Sequence, residues 1–348
     1  MISVIIPVYN GEKYLRKCLD SIVLQTIGIN NIQIIAIDDV STDNSVNILR
    51  EYENKFKDNI IVVLNKVNSL KVSACSRNIG MEYVKGEYII FCDQDDWFEL
   101  DAFEELANLM EVNTDLDYIE YSFNYTEKNG TYIRRTHAKK DGFHIYDVSY
   151  NKIKNIAACK KILPGATYVW TKIYRTSFLI SNKIFHNDGV KKTAFGDNFF
   201  SGLVVMYATK IGKYYKALYN YRIHGDSFTH KKEKNNLIQF ERCSVGLIFW
   251  KECLERKLID INPEMVEYIF LRTYYLKTFW QFLLEFDPIP FEKIIEMRNN
   301  ILTLCPDYNK NRIIKNISEF QILLILLKYE WDEEFLVSLR NYVLESES

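Results

Sequence analysis

Two apolar runs, each ending abruptly in aspartates, constrain this chain more than any other feature. Ile32 to Ile37 leads into Asp38-Asp39, and Tyr88 to Cys92 leads into Asp93-Gln94-Asp95-Asp96. Short β-branched and aromatic runs of this kind read as buried strands, and the stretches around them carry apolar residues at helical spacing. Ser3 to Val8 is the first such run, after which Tyr14, Leu15, Cys18, Leu19, Ile22 and Val23 mark one face of a helix over Glu12 to Gln25. Ser41, Thr42 or Asp43 can cap a second helix reaching about Tyr52. Ile60 to Leu64 is a third strand, and Val72 to Val84 a helix punctuated by Gly86. This alternation predicts an α/β fold with a mainly parallel sheet and helices on both faces. Ligands of such sheets bind beyond the carboxyl ends of the strands, where both acidic clusters fall.

Three carboxylates on one tight turn repel one another, and a divalent cation is the economical way to keep them together. Helix capping is the bland use of an isolated cluster. The second acidic turn, on the same edge of the same sheet, exceeds what capping or solubility requires.

Further on, Leu116 to Tyr125 and Thr131 to Arg135 read as strands joined by Glu-Lys-Asn-Gly, a hairpin on the sheet's flank. From about Phe240 the pattern is helical almost throughout, with Met265 to Phe286 a long amphipathic stretch. The expected division is an α/β domain over 1–235, in halves of about 1–100 and 101–235, and a helical C-terminal domain over 236–348. The aromatics Trp250 and Trp280 of that domain read as core, and its amphipathic faces are expected to be buried against a ligand groove or a homodimer contact.

The formal net charge of −2 argues against a chain that binds nucleic acid by bulk electrostatics. The seven cysteines are scattered and contain no CxxC pair, so neither a disulfide framework nor a zinc site is indicated and the reducing cytoplasm fits best. The chain starts directly in the strand-like MISVIIPVYN without a signal-peptide pattern. Its most apolar helical stretch, Ile322 to Leu327, falls far short of the about 18 residues of a membrane span. A soluble protein is expected, at most peripheral to the inner face of the membrane. The 24 Tyr and 21 Phe supply flat faces that suit sugars and bases as well as a core.

Four motifs in order carry a family resemblance. They are Val4-Ile5-Ile6-Pro7-Val8-Tyr9-Asn10; Ile37-Asp38-Asp39-Val40-Ser41-Thr42-Asp43; Ser76-Arg77-Asn78-Ile79-Gly80; and Gly86-Glu87-Tyr88-Ile89-Ile90-Phe91 running into Asp93-Gln94-Asp95-Asp96. Over about 100 residues the chain resembles the bacterial, inverting family 2 glycosyltransferases, which have the GT-A fold. One departure is Val40, where the family usually has Gly.

The resemblance implies a UDP-sugar donor held by Pro7, Tyr9 and Asp39 around the uracil and ribose, with Arg77 near the pyrophosphate or base. It places Asp93 at the ribose or the metal shell, and Asp95 on Mn²⁺ or Mg²⁺ bridging the diphosphate. The role of Asp96 is open. The catalytic base falls at Asp197 in Phe195-Gly196-Asp197-Asn198-Phe199-Phe200, with Gly196 where the family carries Glu. Val169-Trp170-Thr171-Lys172-Ile173-Tyr174-Arg175 resembles the acceptor-side segment. Tyr219 to Ser227 resembles a loop that closes over the diphosphate, Arg222 gripping phosphate and His224 completing the metal shell. The His230 to Lys234 run reads as a solvated face.

The implied activity is hexosyl transfer to a hydroxyl of a glycan, glycolipid or glycoprotein acceptor, in bacterial surface polysaccharide or adhesin glycan synthesis. A nicotinamide-dependent dehydrogenase would need a Gly-rich turn after the first strand, and PVYNGEKY lacks it. The alternative on the same fold is a non-catalytic nucleotide-sugar-binding module.

Overall fold

The computed structural model describes residues 1–69, 73–137, 139–149, 168–186, 195–225, 237–315 and 320–346. The backbone packs as two compact units. The first comprises the described residues of Met1–Lys152, Gly165–Lys192 and Leu203–Lys231, and the second those of Ile153–Pro164, Thr193–Gly202 and Lys232–Ser348.

The first unit is built on a ten-stranded mixed sheet. Its opening third alternates β1 (Ile2–Val8), α1 (Leu15–Val23), β2 (Ile32–Asp38), α2 (Ser45–Lys55), β3 (Ile60–Leu64), α3 (Ser73–Met81) and β4 (Tyr88–Phe91). β1 pairs in parallel with both β2 and β4, and β2 with β3. All seven residues of β2 are buried, the pattern of a strand covered on both faces. The order β3-β2-β1-β4 means that the chain moves outward from β1 and then returns to its other side. That reversal, between β1 and β4, opens a crevice at the carboxyl ends of the strands.

The rest of the sheet draws on residues scattered through the chain. After β5 (Trp97–Phe98) and α4 (Ala102–Val112) come β6 (Tyr118–Thr126), β7 (Tyr132–Arg135), β8 (Phe143–Asp147), β9 (Lys172–Arg175), α5 (Thr176–Ser181) and β10 (Lys210–Arg222). From β4 the sheet continues β9-β6-β10-β5, with β7 on β6 and β8 on β10. β9 is antiparallel to β4 and β6, and β10 is parallel to β6. Six of the ten strands, β1 to β4 with β6 and β10, therefore share one direction. The β6–β7 hairpin forms as expected, but β6 is an interior strand and not a flank. Its Tyr118, Ile119, Tyr121 and Phe123 are buried, and the strands that flank it, β9 and β10, come from later in the chain.

The second unit is helical. It takes the start of α6 (Gly196–Tyr207), then α7 (Ile238–Glu255), α8 (Leu258–Ile261) and α9 (Pro263–Phe270). α9 continues through a π-helical stretch, Leu271–Leu276, into α10 (Lys277–Glu285). The helix begins on Asn262, whose side chain accepts from the Met265 N–H at 3.1 Å, with Pro263 at its first position. α11 (Phe291–Leu304), α12 (Arg312–Lys315), α13 (Gln321–Lys328) and α14 (Glu333–Ser346) complete the unit. Trp250 is buried against Phe270, ring centroids 4.9 Å apart. Among the described residues no helix is long and apolar enough to cross a membrane.

Gly86 shows how tightly the opening third of the sheet is assembled. A Cβ there would lie 2.7 Å from the Ser3 nitrogen and 2.8 Å from the Met1 carbonyl. The Gly86 N–H donates to Ser3 Oγ at 2.9 Å, and that hydroxyl donates to Gln33 Oε1 at 2.6 Å, so the approach to β4 rests directly on β1 and β2. Gly86→Ala is expected to destabilise the protein by about 1–3 kcal/mol through overpacking. Urea unfolding should show a lower midpoint at unchanged slope; an unmoved midpoint would mean that the backbone yields without cost.

Candidate active site

The turn after β4 is tied to the ends of two other strands. Tyr9, just beyond β1, donates its N–H to Gln94 Oε1, and Gln94 Nε2 returns a bond to the Tyr9 carbonyl, each at 2.9 Å. Asp96 is 1% exposed and accepts from the Tyr219 hydroxyl at 2.7 Å and from the Arg222 backbone N–H at 2.8 Å. β10 is thereby drawn onto the turn. Burial first, then the charges of Asp95 and Asp93, push the Asp96 carboxyl well above the usual carboxylate range.

This anchoring turns the other two aspartates to separate partners. Asp93 Oδ1 accepts from Arg77 Nη2 at 2.7 Å, and that arginine is 2% exposed. Asp95 Oδ2 lies 2.7 Å from His224 Nε2. His224 is buried and its ring lies 4.7 Å from that of Tyr14. The Arg222 guanidinium sits near both Tyr14 and Trp97, 4.9 and 4.6 Å from their ring centroids. Its Nε donates to the Asp95 carbonyl at 2.7 Å and its Nη1 to the Lys128 carbonyl at 2.6 Å. Arg222 thus holds the acidic turn by its backbone. Lys17 Nζ also lies over Trp97, 3.4 Å from the centroid, and burial followed by repulsion from Arg222 lowers its pKa.

On the other side of β1, Asp39 is 3% exposed. Its carboxylate accepts from Asn65 Nδ2 at 2.9 Å, from the Ser69 N–H at 3.0 Å and from Ser69 Oγ at 2.6 Å. Pro7 and Tyr9 are half-buried at the end of β1. Pro7, Tyr9, Asp39, Arg77, Asp93, Asp95, Arg222 and His224 all belong to the first unit. Asp197 lies in the first turn of α6 in the second unit. The Asp226-Ser227 end of the loop, the His230 to Lys234 run and Val72 lie outside the described residues.

Among the described residues no group of three or more His, Cys, Asp and Glu side chains is assembled to hold a metal. Of the expected set Asp93, Asp95 and His224, the first is drawn to the buried Arg77, which leaves a pair. That pair still fits a divalent cation. A carboxylate oxygen and an imidazole nitrogen within 2.7 Å are donors that Mn²⁺ accepts, and a cation shared with a diphosphate needs few ligands from protein. Tyr14, Lys17 and Trp97 complete the site without having been singled out for it from sequence, and Gln94 and Tyr219 join it from within motifs whose roles were given to other residues. Tertiary contacts reveal them.

An acidic crevice at the switch point of such a sheet defines the class, an α/β protein of the GT-A fold with a helical C-terminal region. Residues 3–168 match the model for Glycosyl transferase family 2, so the chain carries a domain of that family. It is 31% identical over 233 residues to the glycosyltransferase GlyA of Streptococcus pneumoniae, covering 66% of this chain and 31% of that protein. It is 42% identical over 112 residues to a poly(ribitol-phosphate) beta-glucosyltransferase of Bacillus spizizenii, covering 32% of this chain and 17% of that one. The regions matched span 17 to 64% of the length of such curated relatives. Residues 1–349 of S. aureus TarS, solved in complex with UDP-GlcNAc, superpose with a TM-score of 0.70 at 20% identity, over 97% of this chain and 88% of that one. This last likeness is one of fold.

Val40, between the two acidic residues' turn and Ser41, has φ +65° and is exposed. A β-branched residue in the left-handed region is strained by about 1–2 kcal/mol. Val40→Gly relieves that strain and loses little burial, while the freer unfolded chain takes back part of the gain. A net stabilisation of about 0.5–1 kcal/mol is expected in thermal unfolding; a destabilised variant would show that Val40 makes contacts worth more than its strain.

Proposed function

We propose that this protein is a metal-dependent inverting glycosyltransferase moving a hexose from a UDP-sugar to a hydroxyl of a glycan acceptor, in bacterial surface polysaccharide or adhesin glycan synthesis. The observation that carries the proposal is the convergence of Asp39, the Arg77–Asp93 pair and the Asp95–His224 pair at one sheet edge. The solved complex of TarS with UDP-GlcNAc and the poly(ribitol-phosphate) transferases among the relatives support the donor and acceptor classes. No described cysteine forms a disulfide, in keeping with a site of action in the reducing cytoplasm.

In this reading Tyr9 stacks on the uracil and the Asp39 carboxylate accepts its imide N–H, for which the Asn65 and Ser69 donors must give way. Arg77 offers positive charge toward the pyrophosphate while orienting Asp93 toward the ribose. Asp95 and His224 would hold the divalent cation, which offsets charge on the diphosphate as it leaves. Asp197 is the base. The acceptor oxygen bonds to the anomeric carbon as the bond from that carbon to the diphosphate oxygen breaks, and the hydroxyl proton passes to Asp197.

Asp95→Ala is expected to weaken Mn²⁺-dependent UDP binding at least about 10-fold in calorimetry, and wild-type affinity would contradict the metal assignment. Asp197→Asn should leave UDP affinity unchanged while turnover falls roughly 100-fold or more. Loss of UDP binding in that variant would instead move Asp197 into the nucleotide pocket.

A further inference from the structure

The second unit contains two buried polar side chains that each keep an atom without a hydrogen-bond partner among the described residues. Gln239 and Arg242 stand three residues apart on α7, on one helix face. They are 7% and 9% exposed, and the atoms concerned are Gln239 Oε1 and Arg242 Nε. Burial pushes the Arg242 pKa down to about 10, with Glu285 a lesser opposing influence. The guanidinium lies over the ring of Phe195, 4.2 Å from its centroid.

Phe195 is itself anomalous. Its φ is +68°, a strained conformation for a bulky residue. It immediately precedes α6, and its carbonyl accepts from the Asn198 N–H at 2.9 Å, which fixes the turn carrying Gly196 and Asp197. A guanidinium left inside a protein without a carboxylate carries a large desolvation penalty, and an aromatic face returns only part of it. Strained backbone and unsatisfied buried polar groups concentrate where a ligand completes the structure.

We propose that Arg242 and Gln239, beside the Phe195 turn, form a subsite for an anionic group of the acceptor, a phosphate ester, two residues from the proposed base Asp197. The planar fork of a guanidinium matches phosphate oxygens in pairs, and the Gln239 amide can turn its NH₂ toward a further oxygen. The role of this site in transfer rests on the proposed function; the binding of an anion does not.

The test is thermal unfolding of the full chain in about 0.1 M inorganic phosphate against sodium chloride of matched ionic strength. Wild type is expected to rise by about 2–4 °C more in phosphate. Arg242→Met should lose that difference and, in chloride, unfold no lower than wild type, since it removes an unpaired buried charge. Arg242→Lys should retain part of the shift. Equal phosphate shifts in wild type and the Met variant, or a Met variant clearly destabilised in chloride, would overturn the subsite. UDP affinity should be unchanged in both variants. A fall would assign the anion to the donor's diphosphate and overturn the acceptor assignment, whereas failure of wild type to bind UDP would count against the proposed function alone.

Discussion

The carboxylate of Asp96 is the interaction on which the candidate site depends. It is buried, and it accepts from Tyr219 and from the backbone of Arg222 on a strand that closes only after residue 210. Arg222 reaches back to the Asp95 carbonyl, and Gln94 pairs with the backbone of Tyr9. The acidic turn is thus held by its backbone and by its middle and last side chains. Asp93 and Asp95 are freed to face Arg77 and His224.

This arrangement explains how three aspartates share four residues. Each meets a different remedy for its charge: a buried guanidinium for Asp93, an imidazole for Asp95, and for Asp96 two hydrogen bonds with a carboxyl pKa raised by burial. Two cations on the faces of Trp97 add positive potential close by. Strain accompanies this order elsewhere, with left-handed Val40 after the second acidic turn and left-handed Phe195 before Asp197. Both lie in motifs that the family resemblance had singled out.

The first hundred residues were legible from sequence because their signals are local. Each strand runs into its functional turn, and helical spacing between the strands sets a parallel order. The helical character after about Phe240 was legible for the same reason, although periodicity alone did not disclose the π-helical stretch at Leu271–Leu276. What remained hidden depends on contacts between distant residues. The interior place of β6, the pairing of β10 with it, the use of Arg222 on backbone carbonyls and the capture of Asp93 by Arg77 all arise from tertiary pairing. Asp96 illustrates the limit well: the sequence left its role open, and its partners in space make it an anchor.

The most direct test of the central claim is release of UDP from a panel of UDP-sugars in the presence of Mn²⁺, with and without EDTA, relying on slow hydrolysis so that no acceptor is required. The account predicts release from one or two donors that EDTA abolishes. Silence across the panel together with no binding of UDP, or release that EDTA leaves untouched, would contradict it.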